Sequence, residues 1–201
     1  KTLLLVEENM FGSGIANYRK QTSKRYVSSV FQGMYKKEIF DKIGLLDEKV
    51  GRVEDNELHY RIRKNGYKIR YSNDILSYQY TRPTVNRMLK QKYSNGYWIG
   101  KVSHVYPKAF SIFHFVPFVF VLGIIFSLLM LPLTKLFAVL LAVAYGLFTI
   151  LVTSMTIINN KFNVTMLLIP ILLFLVHFSY GIGTLVGLVK GFSWKKEYYK
   201  Q

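Results

Sequence analysis

The chain has 201 residues, 51% of them hydrophobic, no cysteine, and a net charge of +16 from 27 basic and 11 acidic side chains. The lack of cysteine excludes a disulfide framework and any thiolate metal site. High hydrophobicity combined with high charge excludes a uniform soluble globule, and the two properties separate along the chain. Residues 1–111 hold 21 of the Lys and Arg and 10 of the Asp and Glu, and residues 112–201 hold 6 and 1. A basic, mixed-polarity half therefore precedes an apolar one.

Near the start, "FGSGIANYR" places Gly12 and Gly14 where the backbone can turn tightly. No strand-then-helix context surrounds them, so the pair alone does not make a phosphate loop. "VFQGMYKKEIFDKIGLLDE" predicts a strand, a turn and a short helix. Val30, Phe31, Met34 and Tyr35 supply strand formers around Gly33, and a helix over 36–43 buries Ile39, Phe40 and Ile43 before Gly44 ends it. In "GRVEDNELHYRIRKNGYKI" the run Glu54-Asp55-Asn56 offers N-cap chemistry to a helix reaching Lys64, with Leu58 and Ile62 on one face and Asn65-Gly66 as the C-cap. Two roles stand open for Glu54 and Asp55: a helix cap, or chemistry. "YKIRYS" and "ILSYQY" read as further strands. Strand-helix-strand alternation predicts an α/β fold for residues 1–82. Pro83 then opens a helix in a linker over 83–111, with an apolar stripe of Val85, Met88, Leu89 and Tyr93 and basic residues Arg82, Arg87, Lys90, Lys92 and Lys101. Such a helix ahead of a span predicts an interfacial position on anionic lipid, a solvated basic face being the plainer alternative.

Residues 112–201 form an all-α membrane region, with hydrophobic spans at 112–133, 136–158 and 164–189. Short connections, "LPLTK" and "NNKFN", predict antiparallel neighbours. Gly183 and Gly187 make a GxxxG that permits close helix packing. Basic residues beside the first span place the soluble half in the cytoplasm. Three full spans put the tail on the far side, against the preference of Lys190, Lys195, Lys196 and Lys200 for the inside. A re-entrant third segment would resolve the conflict; three spans are the expectation.

"FQGMYKKEIFDKIGLLDE", "EDNELHYRIRKNGYKIRY" and "RPTVNRMLKQKYSNGYWIGK", in that order, resemble the C-terminal half of membrane-anchored family 2 glycosyltransferases of GT-A type, nearest the succinoglycan-type exopolysaccharide glucosyltransferases. The resemblance implies a partial GT-A domain in a multi-pass protein of the bacterial inner membrane, with its catalytic part cytoplasmic. It implies an inverting transfer from a nucleotide sugar, UDP-linked in many relatives, to a lipid-linked saccharide acceptor. Asp55 matches the base that takes the proton of the acceptor hydroxyl, with Glu54 beside it, and Gly33, Arg87, Gln91 and Lys92 fall on the substrate side. Two departures stand out. The resemblance implies a divalent metal, Mg or Mn, held by a D-x-D motif, and no D-x-D occurs here, Asp55-Asn56-Glu57 being the nearest spelling. The chain also opens on Lys rather than Met, so a C-terminal fragment is expected, with the metal ligands outside it. Processive relatives carry Q-x-x-R-W, whereas Ser94 stands where that Arg would follow Gln91. Transfer of a single sugar fits better, with Arg87 or Lys92 as the diphosphate contact.

Two other classes compete. A non-catalytic membrane protein could use its basic juxtamembrane part to hold anionic lipid or partner enzymes, but would gain nothing from paired acids in a basic field. Nucleic-acid binding suits the charge and the aromatics, yet no recognised nucleic-acid motif occurs and the basic residues cluster beside the membrane.

Overall fold

A computed structural model of the chain describes residues 2–9, 25–75, 77–78 and 80–200; Gly12 and Gly14 lie outside the described residues. In chain order these form helix α1 (Thr2–Glu8), strand β1 (Tyr26–Val27), α2 (Lys37–Ile43), α3 (Glu54–Lys64), strand β2 (Ile69–Arg70), α4 (Val85–Val102), α5 (Val116–Met130), α6 (Leu136–Ile158) and α7 (Ile169–Tyr198).

The α/β GT-A-like domain expected from the sequence is not found. Among the described residues the sheet is one antiparallel pair, Tyr26 opposite Arg70 and Val27 opposite Ile69, and helices make up most of the rest. The strand formers at 30–35 do not pair. Gln32 adopts a left-handed conformation (φ 54) that turns the chain in mid-run, and Met34 is 96% exposed. The described residues of the "ILSYQY" run are likewise in no strand, with Tyr78 and Tyr80 more than nine-tenths exposed. Strand propensity reflects packing against neighbours, and here no neighbouring strand supplies it.

α2 and α3 both end where their sequence signals place them. α2 stops at Gly44 (φ 81), whose N–H donates to the Phe40 carbonyl. α3 stops at Asn65, followed by Gly66 (φ 82). Leu58 and Ile62 are buried on one face of α3 against Ile39, Phe40 and Ile43 of α2, closed over by Val27 and Ile69 of the strand pair. The N-terminus of α3 differs. Its N-cap residue is Val53 in left-handed geometry (φ 66, ψ 21), without a side-chain cap. Glu54 and Asp55 are the first two helical residues and do not cap the helix.

The apolar half is organised by α7, which runs nine residues beyond the expected span end at 189. It lies parallel to α4, and the seam between them is glycine. A Cβ on Gly96 or Gly100 of α4 would overlap the carbonyl oxygen of Tyr180 or Thr184, and one on Gly183 or Gly187 of α7 would overlap that of Tyr93 or Tyr97. Backbone thus meets backbone from both sides. The Ser179 hydroxyl adds a hydrogen bond to the Leu89 carbonyl (2.9 Å). One side of α4 is thereby packed on protein: Met88, Lys92, Gly96, Ile99 and Gly100 are buried, while Val85 and Tyr93 of the expected apolar stripe are exposed.

Residues 112–130, 136–158 and 164–198 are each long and apolar enough to cross a membrane. α5 and α6 form an antiparallel hairpin, with Phe126 against Phe137 and Phe120 stacked on Tyr145. The hairpin stands on α7 by its base. Val121, near the start of α5, meets the Gly181 position, and Val152, near the end of α6, joins Leu173 and Val176 in one cluster. Leu129 and Leu133 at the tip are exposed. The buried hydroxyls of Thr149, Thr153 and Thr156 on α6 are satisfied by carbonyls one turn back, and Tyr145 hydrogen-bonds His177 across to α7 (2.9 Å).

Contacts from the loop at 47–53 help fasten the basic half to this frame. Gly51 accepts the Trp98 ring where a Cβ would collide with it. Val50 and Val53 pack with Ile99, Val102 and Tyr106. The Asp47 carboxylate accepts hydrogen bonds from the hydroxyls of Tyr106 (3.2 Å) and Tyr198 (2.5 Å), the last residue of α7. The far end of α7 therefore lies beside the loop at 47–49.

Gly187→Ala is expected to destabilise the chain by about 1–3 kcal/mol, because the methyl group must push two backbones apart. Gly146→Ala on α6, where a Cβ meets nothing within 4 Å, is expected to be neutral or stabilising by up to about 1 kcal/mol. Thermal unfolding in an uncharged detergent, followed by circular dichroism, checks both; equal midpoints would disprove the seam.

Candidate active site

The site grows from the strained turn ahead of α3. A β-branched residue in the left-handed region is uncommon and costs on the order of 1–3 kcal/mol. Val53 is held there by its packing against the α4 side of the molecule. The turn delivers Glu54 to the surface and leaves Asp55 half-buried. Burial, and secondarily the Glu54 charge, raise the Asp55 pKa above the ordinary carboxylate value. Among the described residues the Asp55 carboxylate makes no hydrogen bond.

The next acid on α3 has a different task. Glu57 is fully buried and pairs with Arg61 one turn later through two hydrogen bonds (2.5 and 2.8 Å). Arg61 also donates to the carbonyls of Ile43, Gly44 and Leu45. The pair thereby ties the end of α2 to α3, and its role is structural.

Four residues after Asp55, and so on the same face of α3, stands His59. It is fully buried, with Nδ1 on the Ser29 hydroxyl (2.9 Å) and Nε2 on the Tyr35 hydroxyl (2.7 Å). Burial, helped by the Arg63 charge, lowers its pKa to about 4, so it is neutral at physiological pH. The Tyr35 pKa is pushed up to about 12 by burial and then by the negative charge of Asp55. Gly33 lies against the Tyr35 hydroxyl, where a Cβ would crowd it. Tyr35 thus meets Gly33, hydrogen-bonds His59 and feels the charge of Asp55; neither Tyr35 nor His59 stands out as a site residue in the sequence. The i, i+4 spacing of Asp55 and His59 is the signal that could have found them.

Three residues before Asp55, Arg52 donates to the Ser94 hydroxyl of α4 (3.3 Å), and Arg82 donates to the Gln91 side chain (3.1 Å). Arg52, Arg82, Arg87, Lys90 and Gln91 line an open concavity of about 270 Å³. Arg87 and Gln91 thus fall where a substrate can reach them. Lys92 does not. It is buried on the opposite face of α4, with its ammonium 3.5 Å from the Glu7 carboxylate of α1, which removes it from the candidate diphosphate contacts. No group of three or more His, Asp or Glu side chains among the described residues could hold a metal ion, so these residues do not fit the divalent ion that the resemblance implies.

His59 makes stability depend on pH. Its folded pKa, about 4, lies below the ordinary 6.5, so the folded state favours the neutral ring. That contribution is complete above about pH 6.5 and is lost as the pH falls toward 4. The thermal midpoint is expected to drop more steeply over this interval in the natural chain than in His59→Gln; parallel curves would refute the assignment.

No protein-family model and no solved structure matches the chain. Among curated proteins it is similar to a dolichyl N-acetyl-alpha-D-glucosaminyl phosphate 3-beta-D-2,3-diacetamido-2,3-dideoxy-beta-D-glucuronosyltransferase of Methanococcus voltae. The two are 28% identical over 169 residues, which are 84% of this chain and 49% of that protein. The chain thus spans about half the length of the curated relative it matches, a protein whose name makes it a glycosyltransferase acting on a dolichyl-linked sugar.

Proposed function

We propose that the chain is the acceptor-side and membrane-anchoring part of a glycosyltransferase that moves a sugar from a nucleotide sugar to a lipid-linked saccharide. The observation that carries this reading is Asp55. It is a half-buried carboxylate of raised proton affinity, without a capping role, whose charge acts on Tyr35, the hydrogen-bond partner of His59, and which follows by three residues Arg52, a side chain that lines a cationic concavity. A base for an inverting, family 2-type transfer needs these properties. As the acceptor oxygen bonds to the anomeric carbon, its proton passes to Asp55 and the bond to the nucleoside diphosphate breaks. The lipid-linked acceptor is common to the sequence resemblance and to the archaeal relative's name; a role in bacterial exopolysaccharide synthesis, with a UDP-sugar donor, rests on the resemblance alone. A protein that only bound lipid or partners would have no use for such a carboxylate.

The arrangement of α7 supports a topology for the site. Its end touches Asp47, and just before its start the Thr165 hydroxyl meets that of Thr2 (2.5 Å). Both ends of α7 thus lie against the basic half. In this reading the α5–α6 hairpin crosses the bilayer, α7 lies beside α4 along the cytoplasmic face, and the lysine-rich tail stays inside as its charge prefers. The chain has no cysteine, so single cysteines replacing Lys64, Lys135 or Lys200 test this directly. A membrane-impermeant maleimide applied to intact cells should label position 135 alone; labelling of 200 along with 135 would show that α7 crosses.

Asp55→Asn is expected to lower transfer roughly 10²–10⁴-fold, measured with membranes from cells expressing the complete reading frame. Because Asp55 does not cap α3, the same variant is expected to lose no more than about 1 kcal/mol of stability, the value of a charge at a helix N-terminus. Near-normal turnover would remove the catalytic assignment.

A further inference from the structure

We propose that the concavity formed by Arg52, Arg82, Arg87, Lys90 and Gln91 is a phosphate-ester site that holds the phosphate of the lipid-linked substrate, an inference that rests on the transfer reading above. Four cations converge there, and among the described residues no carboxylate lines the space. Their side-chain partners are neutral: Arg52 holds Ser94 and Arg82 holds Gln91. Among the described residues the ion pairs are Arg61 with Glu57 and Lys92 with Glu7, and neither involves these four side chains. Gathered like charges repel unless an anion joins them. Three of the four are arginines, whose forked N–H groups match phosphate oxygens two at a time.

The surroundings favour a lipid as the source of that phosphate. Arg87, Lys90 and Gln91 project from the first turns of α4. The opposite side of the same turns, at Met88, packs into the apolar cluster of Val152, Met166 and Leu173 from the membrane half. An anionic head in the concavity is therefore only about one helix diameter, roughly 10–12 Å, from apolar protein and its lipid. Arg52, in turn, lies three residues before Asp55 on the loop that positions it. A sugar attached to a phosphate held there is directed toward the carboxylate that would deprotonate it. The same phosphate chemistry could come from the nucleoside diphosphate of the donor, so the test separates the two sources.

The probe is farnesyl phosphate, titrated into the purified chain in uncharged detergent micelles. Farnesol, phosphatidylglycerol at the same mole fraction and free UDP serve as comparisons, and binding is read by thermophoresis. Saturable binding of farnesyl phosphate is expected, weakened about tenfold or more in Arg52→Gln/Arg87→Gln, since removing one charge-assisted hydrogen bond costs roughly that factor. Farnesol should bind much more weakly, and UDP should not displace the lipid phosphate. Arg82→Gln/Lys90→Gln provides a second variant should the first not fold, with circular dichroism as the check. Undiminished binding in a folded variant overturns the proposal. So does an equal loss on phosphatidylglycerol, which would mean surface charge only, and so does competitive displacement by UDP, which would assign the cations to the donor. Failure here leaves the Asp55 assignment standing. If Asp55→Asn keeps transfer while the cation variants lose the lipid phosphate, the base is wrong and the site is right.

Discussion

Backbone contact between α4 and α7 is the constraint on which the rest of the molecule depends. Glycines at 96 and 100 on one helix and at 183 and 187 on the other let the carbonyls of each helix occupy space that side chains would fill elsewhere. Small residues on both sides of the seam let the two backbones approach closely enough for continuous van der Waals contact. It fixes α4 along its length, so both faces of α4 acquire definite neighbours. The inner face receives the α6 and α7 cluster around Met88. The outer face keeps its cations. The C-terminal part of the same helix presents Trp98 to Gly51, so the loop that leads to Asp55 is set against a rigid surface.

That surface explains how a β-branched residue is kept in left-handed geometry at position 53. Val53 turns the chain into α3 without a capping side chain, and its packing offsets the conformational cost. The result is a division of labour among neighbouring acids. Glu57 is buried, neutralised by Arg61 and committed to holding α2 against α3. Asp55, two residues earlier, lies at the edge of the buried zone with no cationic partner among the described residues, and burial, then the Glu54 charge, raise its proton affinity. His59 is held neutral between two hydroxyls, one of them that of Tyr35. One short helix thus carries a buried ion pair, a half-buried carboxylate of raised proton affinity and a buried neutral histidine within two turns.

Much of the local structure was determined by the sequence alone. Gly44 and Gly66 had to end their helices because only a residue without Cβ takes those angles readily. Leu58 and Ile62, one turn apart, had to share a buried face. Three long apolar runs had to be helices suited to a membrane, since no other conformation of one segment satisfies its backbone polar groups there. What tertiary structure decided was everything that needs a distant partner. The runs at 30–35 and 75–80 have the residues of strands, but a strand exists only when another lies beside it, and the described residues supply a single short pair. Lys92 has the spacing of an exposed basic residue until Glu7, 85 positions away, buries it. Gly183 and Gly187 announce a close contact without naming α4 as the helix that makes it. The Glu54-Asp55 pair has the composition of a helix cap, and only the packing that traps Val53 in the capping position leaves Asp55 unused by the backbone. Helix ends and buried faces follow from angles and periods within a few residues, whereas pairing, burial of charge and the fate of a carboxylate depend on contacts the local sequence does not contain.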